Sequence, residues 1–215
     1  MRGITIILDG ESVHTGNDLD LVQEKKEIGK PKIQSHTVEV PGRNGVLNLT
    51  KGLTGRVMYY NRTLSFQYFG TGTRSRLLEL DTIMSRYHGQ TIRIIDDDYP
   101  NHYYEGEVSV DTEFKSNYIV ISLTVDAQPF RLKTAKTVRS QTLNGSVTLR
   151  LENESIEVYP VITVTAETSI VFNGVTFKLS AGSYTSENIL FKAGTNVLEV
   201  SGTGKITIEY QEGAI

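Results

Sequence analysis

The chain has 215 residues, no cysteine and a formal net charge of -3. The absence of cysteine excludes disulfides and thiolate metal sites, and the small negative charge gives no general electrostatic reason to bind nucleic acid or an anionic membrane. The apolar run Ile4–Leu8 is shorter than a signal-peptide core, and no stretch has the ~18 apolar residues needed to span a bilayer. We therefore expect a protein that is neither exported by the standard route nor embedded in a membrane.

Alternating apolar residues predict strands in the first part of the chain. Ile4–Leu8 is rich in β-branched residues, which favours a strand. Val57–Phe69 alternates between apolar and polar residues. One face of that predicted strand carries Leu64, Phe66 and Tyr68.

A helix is predicted over Thr73–His88, because apolar residues recur there at spacings of three and four. Its apolar stripe consists of Leu77, Leu80, Ile83, Met84 and Tyr87. Thr73 fits the N-cap position and Gly89 fits the position just beyond the last turn. Three further strands are predicted after the helix, at Thr91–Ile95, Tyr103–Val110 and Tyr118–Val125.

The segment between the first strand and the helix is polar and contains strong turn signals. Asp9–Lys30 is polar, and Lys32–Val40 alternates loosely, which predicts a long exposed strand. Pro41-Gly42 and Asn44-Gly45 follow within a few residues. Because glycine tolerates a positive φ and proline fixes φ near about −65°, these pairs predict a tight loop between two strands.

The pattern changes after Pro129, which places a domain boundary near residue 130. From Arg131 onward no helical period remains, and short strands recur at intervals typical of a β-sandwich or barrel. Asn173-Gly174 is a strong hairpin signal between two of them. The predicted strands are Ser146–Leu151, Val161–Thr165, Ser169–Phe172, Val175–Leu179, Asn188–Phe191, Asn196–Val200 and Lys205–Tyr210.

Six segments, in one order, resemble the signature segments of the siphophage distal tail protein family. The first is Val-Pro-Gly-Arg-Asn-Gly within residues 40–50, and it differs from the common family pattern in having Asn44 in place of aspartate. Tyr87 and Phe130 are two further departures, standing for the family's leucine and tyrosine. The other segments are Arg56–Leu64, Tyr87–Gly89, Asp96–Asp98 followed by Tyr103–Gly106, Gln128–Phe130 and Phe191–Asn196.

The resemblance implies a mostly β fold with one helix and two domains. Residues 1–130 would be a ring-forming domain similar to tail-tube proteins, a β-sandwich or split barrel that carries the helix. An extended arm at about residues 11–40 would reach the neighbouring subunit, which agrees with the polar segment that precedes the alternating strand. Residues 131–215 would be a galectin-like β-sandwich.

The resemblance also implies a structural role in the virion rather than an enzyme. The protein would be the tail-tip or baseplate hub of a long non-contractile phage tail, assembled in the host bacterial cytoplasm. Six copies would close into a ring that joins the tail tube to the tail-tip spike, the tail-associated lysin, and to the host-adsorption apparatus. Its partners would be the tail tube protein, the tape measure protein, the tail-associated lysin and receptor-binding proteins. DNA would pass through the lumen without sequence-specific binding.

The residues selected as site candidates are structural, and no catalytic, cofactor-binding or metal-binding residue is expected. Three of them shape the loop, two arginines are candidates for salt bridges within or between subunits because arginine binds carboxylates through a rigid fork, and three lysines approach the arm contact. In that order they are Pro41, Gly42 and Gly45; Arg43 and Arg62; and Lys25, Lys26 and Lys32.

Two other functional interpretations carry less weight. Asp96–Asp98 lacks the ligand spacing of a calcium loop and is interpreted as a solvated turn. The alternative function is a carbohydrate-binding module that contacts host cell-wall polysaccharide. Against it, residues 131–215 contain no tryptophan, and most of their aromatic residues are expected in the core. The six aromatic residues of this part are Tyr159, Phe172, Phe177, Tyr184, Phe191 and Tyr210.

Overall fold

Strands dominate the structure, a computed structural model that describes residues 2–42, 44–50 and 57–215. The chain divides into two compact units, Met1–Arg131 and Leu132–Ile215. The mostly β fold class is confirmed, and the predicted helix is present in the first unit. The tail-tube-like and galectin-like descriptions of the two parts stay predictions.

The first unit is built on an antiparallel sheet with the strand order β2-β1-β7-β8-β9-β6-β3. The strands of this unit are β1 (Ile4–Leu8), β2 (Glu11–His14), β3 (Val22–Ile28), β4 (Thr37–Glu39), β5 (Val46–Asn48), β6 (Arg62–Thr71), β7 (Thr91–Asp96), β8 (His102–Phe114) and β9 (Tyr118–Ala127). Three strands separate β7 from β3 in the sheet order, yet Lys26 of β3 lies 2.8 Å from Asp96 of β7. The sheet therefore curls until these two strands approach each other.

Alternation along the strands directs one face of this sheet into a core. Leu64, Phe66 and Tyr68 are buried, as predicted for β6. The helix α1 (Arg74–Ser85) covers this core with Leu77, Leu80 and Met84. The Thr73 side chain accepts a hydrogen bond from the Arg76 N–H, which confirms the predicted N-cap and satisfies one free donor of the first turn.

Gly106 of β8 faces the backbone of β9 at very short range. A Cβ atom at this position would lie 2.3 Å from the Asp126 carbonyl oxygen and 2.5 Å from the Ala127 Cα. Because both are main-chain atoms of a paired strand, the ladder itself would have to shift. We expect Gly106→Ala to lower the free energy of unfolding by about 2 kcal/mol, measured by urea titration.

Gly29→Ala is the control for this substitution, because no atom lies within 4 Å of its Cβ position. We expect that change to alter stability by less than about 0.5 kcal/mol. Equal losses at Gly29 and Gly106 would contradict the steric explanation.

The strands β4 and β5 form a two-stranded hairpin of their own, separate from the main sheet. The predicted tight loop connects them, with Gly42 at φ 80° and Gly45 at φ 81°, values that side chains rarely adopt. The predicted long strand Lys32–Val40 is wrong in its extent. Only Thr37–Glu39 pairs regularly, and Ile33 makes an isolated bridge with Tyr59.

The second unit is organised around one long antiparallel pair. The remaining strands are β10 (Arg131–Lys133), β11 (Thr137–Asn153), β12 (Val161–Val164), β13 (Thr168–Phe172), β14 (Val175–Leu179), β15 (Gly182–Thr185), β16 (Gly194–Tyr210) and β17 (Gly213–Ala214). β11 and β16 pair along all 17 residues of each. The other edge of β16 pairs first with β13 and then with β12.

Glycines mark the place where β16 passes from one partner to the other. A Cβ at Gly202 would lie 2.7 Å from the Glu167 carbonyl oxygen, and a Cβ at Gly204 would lie 2.6 Å from Thr165 Oγ1. Close backbone contact requires glycine at position 202, and the φ of 89° favours glycine at position 204. The two strands predicted at Asn196–Val200 and Lys205–Tyr210 are therefore parts of one continuous strand.

Two further predictions for the second unit differ from the structure. Asn188–Phe191 does not form a strand; its Phe191 makes only an isolated bridge with Val158. The sequence did not predict β15, which pairs with β12. The predicted hairpin at Asn173-Gly174 is present, with both residues at positive φ between β13 and β14.

Candidate assembly surfaces

Arg62 is a buried arginine that joins three parts of the first unit. Its side chain donates hydrogen bonds to the carbonyl oxygens of Gly29, at 2.8 Å from Nε, and of Pro129, at 3.3 Å from Nη1. The guanidinium lies 5.2 Å from the centre of the Tyr104 ring. Burial lowers the pKa of Arg62, and Tyr104 acts in the opposite direction. Within the chain, the described contacts of Arg62 are carbonyl groups and a ring, and its predicted salt bridge stays a prediction.

These hydrogen bonds of Arg62 form a clamp at the base of residues 30–42, 44–50 and 57–60, which we call the hairpin segment. Gly29 immediately precedes this segment, and Arg62 follows it. Main-chain hydrogen bonds continue the pairing beyond the clamp, from Tyr60 N–H to the Lys32 carbonyl and from Gln34 N–H to the Met58 carbonyl, both at 2.8 Å. The segment therefore leaves the sheet as a paired stem that ends in the β4–β5 hairpin.

The hairpin segment exposes an unusual amount of apolar surface. Val46 and Ile33 are 55% and 58% exposed. The other large exposed apolar residues of the segment are Val38, Val40, Val57 and Tyr60. Contiguous exposed apolar surface commonly marks an interaction site.

The predicted arm at about residues 11–40 overlaps only partly with this segment. Glu11–His14 pairs with β1 as β2, and Val22–Ile28 pairs with β6 as β3. These residues lie within the sheet, and their polar composition reflects strands at its two edges. Exposure of the kind expected for an arm begins near Ile33.

Lys26 and Asp96 form the most buried ion pair described in the first unit. Asp96 is 1% exposed, and the Lys26 ammonium lies 2.8 Å from its carboxylate and also contacts Asp98. The predicted solvated turn at Asp96–Asp98 is therefore wrong for Asp96. The alternation of β7 contains the signal, because Ile92, Ile94 and Asp96 fall on the same buried face.

Electrostatics favour the charged forms of this cluster. Burial alone would lower the pKa of Lys26, but hydrogen bonds to Asp96 and Asp98 outweigh it and raise that pKa. The hydrogen bond from Lys26 lowers the pKa of Asp98 below its ordinary 3.8. An open cleft of about 300 Å³ adjoins the cluster, lined by Arg2, Gly3, Gln23, Glu24, Lys26 and Asp96–Asp98.

Asp97, in the same turn, fastens the start of the chain. Its carboxylate accepts a hydrogen bond from the Gly3 N–H at 2.8 Å and lies 3.1 Å from His14 Nε2. The His14 Nδ1 accepts hydrogen bonds from the main-chain N–H groups of Gly16 and Asn17. This pattern places the imidazole proton on Nε2, facing Asp97.

The remaining site candidates lie apart from this cluster. Lys25 is exposed and pairs with Glu27 at 2.9 Å, and Lys32 is exposed at the base of the hairpin segment. Pro41, Gly42 and Gly45 are exposed in the β4–β5 loop, whereas Arg43 lies outside the described residues. The structure thus brings Lys26 to a partner and leaves the loop candidates at the surface.

Within residues 2–42, 44–50 and 57–215, no three His, Asp or Glu side chains are grouped closely enough to hold a metal ion. In the same ranges, none of the helices has the length and apolar character to cross a membrane.

Comparison with known proteins finds no match by sequence but finds solved structures of similar fold. No protein-family model and no curated protein matches the chain. The solved structure of the Dit protein of phage SPP1 aligns with a TM-score of 0.64, covering 99% of each chain. The chain has the fold of SPP1 Dit. The resemblance expected from the sequence is thereby confirmed at the level of the fold.

The level of identity limits the match to the fold. Only 14% of aligned residues are identical between the chain and SPP1 Dit. SPP1 Dit is described as a paradigm of the hub adsorption apparatus in phages that infect Gram-positive bacteria.

Proposed function

We propose that this chain is a distal tail protein, the structural hub of the tail tip of a long-tailed phage. The observation that carries the proposal is the likeness to SPP1 Dit, a phage hub protein, which extends over 99% of both chains rather than over one common β domain. The six sequence segments in family order support the same function independently of the backbone.

In this proposal six copies form a ring through heterologous contacts, in which one surface of a subunit meets a different surface of the next. The exposed apolar residues of the hairpin segment support such a contact, because a soluble monomer gains nothing from them. The ring would join the tail tube and tape measure protein to the tail-associated lysin and would carry receptor-binding proteins. Its place is the virion tail tip, after assembly in the host cytoplasm, and its role is assembly rather than catalysis.

The first test is the mass of the purified chain by light scattering over a concentration series, with negative-stain imaging. We expect six times 23.9 kDa and a ring with an open lumen. If the chain stays monomeric, the purified tail-associated lysin of the same phage is added and the measurement repeated. A monomer under both conditions would contradict the proposal.

A carbohydrate-binding module is the alternative function, and the second unit gives it little support. Phe172, Phe191 and Tyr210 are buried. The ring centre of Phe191 lies 5.9 Å from that of Phe172 and 5.2 Å from that of Tyr210. They pack on one another and do not present a stacking surface. Specific binding of the full chain to a cell-wall glycan array would restore the alternative.

A further inference from the structure

Asparagine followed directly by glycine occurs three times in the chain, at Asn44-Gly45, Asn144-Gly145 and Asn173-Gly174. All of these residues are exposed. Such a pair is chemically labile, because glycine has no Cβ atom to hinder attack of its main-chain nitrogen on the asparagine side chain. The three pairs therefore offer the same reaction in three different structural settings.

The reaction is loss of the side-chain amide through a cyclic intermediate. At Asn44, the main-chain nitrogen of Gly45 loses its proton and forms a bond to the Asn44 Cγ atom. The bond from Cγ to the side-chain nitrogen breaks, and ammonia leaves with that proton. Water then opens the resulting succinimide ring at either carbonyl carbon. The product is an aspartate, or an isoaspartate in which the main chain runs through the side-chain carbons.

Ring closure needs rotation of the main chain at the asparagine, so that the glycine nitrogen comes within bonding distance of Cγ. Regular strand pairing prevents this rotation at Asn144. Asn144 and Gly145 lie inside the ladder of β11 and β16, where they pair with Thr203 and Gly202. The ladder must open locally before the reaction can proceed, and the free energy of that opening slows it.

A tight turn restrains the Asn173-Gly174 pair. These two residues connect β13 to β14, and the pairing of Phe172 with Val175 closes the turn directly behind them. Asn173 is held at φ 49°, and Phe172 belongs to the core of the second unit. Rotation at Asn173 therefore disturbs both a ladder and a core.

The hairpin that carries Asn44 and Gly45 imposes neither restraint. Among the described strands, β4 and β5 pair only with each other, and their pairing ends at Glu39 and Val46. Asn44 and Gly45 lie outside the paired residues. An isolated two-stranded hairpin is only marginally stable in water. Val46 and Val38 are already 55% and 46% exposed, so opening this hairpin removes little buried apolar surface.

We propose that Asn44 is a site of spontaneous deamidation in the folded chain, and that the fold protects Asn144 and Asn173. The reaction gives the hairpin segment one additional negative charge and, in the isoaspartate form, one additional main-chain carbon. The free chain therefore acquires a chemically altered hairpin on an otherwise unchanged fold. This inference goes beyond the proposed hub function and does not depend on it.

Peptide mapping by mass spectrometry measures the rates at the three positions in one sample. The full-length chain is incubated in dilute, mildly alkaline buffer, because the glycine N–H loses its proton more readily as the pH rises. Proteolytic peptides are then quantified by the mass gained when an amide group is replaced by a hydroxyl group, and fragmentation assigns the position. We expect deamidation at Asn44 to be roughly tenfold faster than at Asn144 or Asn173.

Two controls separate the effect of the fold from that of the sequence. In urea all three pairs are released, so we expect them to react at similar rates. The variant Asn44→Gln keeps an amide but requires a larger ring, and it is expected to remove the fastest reaction from the map. Equal rates at the three positions in the folded chain, or the same preference for Asn44 in urea, would overturn the proposal.

Discussion

Replacing Lys26 by methionine is expected to lower the free energy of unfolding by about 3–5 kcal/mol, because the buried carboxylate of Asp96 loses its counter-charge. Methionine keeps most of the side-chain volume, so packing changes little. Asp96 is 1% exposed and cannot recover its hydration without disturbing the end of β7. Urea unfolding of the full chain measures the loss.

Lys25→Met is the control for this prediction. Lys25 is the adjacent residue on β3, but its side chain is 58% exposed and its partner Glu27 is exposed as well. We expect a change of less than about 1 kcal/mol, typical of a surface pair. Similar losses for the two variants would show that β3 responds to any lost charge and would contradict the special role of Asp96.

The effect of Lys26→Met on stability is also expected to depend on pH. The pKa of Asp98 is lowered in the folded chain, so its contact with Lys26 contributes stability above the ordinary value of 3.8, and this contribution is lost as the pH falls through the folded pKa. The pKa of Lys26 is raised, so its contribution is complete below the ordinary 10.5 and is lost only at higher pH. The stability difference between wild type and Lys26→Met should therefore shrink below about pH 4.

Arg62→Met is expected to cost about 3 kcal/mol, because it removes charged hydrogen bonds to the carbonyl groups of Gly29 and Pro129 and leaves these acceptors partly unsatisfied. Hydrogen exchange should show faster opening at the stem of the hairpin segment, around Tyr60 and Gln34. Arg62→Lys should recover little, since a lysine cannot reach both carbonyls with one planar fork.

Arg93→Met is a closely matched comparison. Arg93 also lies near an aromatic ring, 4.8 Å from the Tyr103 centroid, and also donates a hydrogen bond, to Glu105 at 2.8 Å. Its side chain is 54% exposed, so water replaces the lost contacts and the expected change is below about 1 kcal/mol. If Arg93→Met lowered the free energy of unfolding as much as Arg62→Met, burial of the arginine would not explain the loss, and the prediction would be wrong.

Local patterns in the sequence predicted the elements whose causes are themselves local. The helix follows from apolar spacing and from the Thr73 side chain, both contained within a few residues. The turn between β4 and β5 follows from Gly42 and Gly45, which both adopt a positive φ. In each case the deciding interaction joins residues that are close in the chain, so a single sequence contains it.

The sequence failed where the partner is distant. β3 has the charged sequence Val-Gln-Glu-Lys-Lys-Glu-Ile, which suits a solvated arm as well as an edge strand; only its pairing with β6 distinguishes them. The partner of Asp96 is seventy residues away, so the sequence alone predicts a solvated turn for the Asp run. The charge of Arg62 favours a carboxylate partner, whereas its described hydrogen bonds are to main-chain carbonyls of residues distant in the sequence.

The strand division of the second unit also depends on residues that are distant in the chain. The sequence predicts two strands, Asn196–Val200 and Lys205–Tyr210, and Gly202 and Gly204 lie between them. In the structure they let one strand pass close to two neighbours in turn. Whether a glycine ends a strand or bends it depends on what lies across from it.

The long pair of β11 and β16 gives the second unit a direction-dependent resistance to pulling. Thr137 and Tyr210 face each other at one end of the pair, and Asn153 and Gly194 face each other at the other end. Tension between the residues before β11 and those after β16 would break the rungs one after another, beginning at Thr137. Tension between the residues before β11 and a partner that holds the start of β16 would load all the rungs together in shear. A protein attached near Gly194 would therefore be held against far larger forces than one attached at the end of β16.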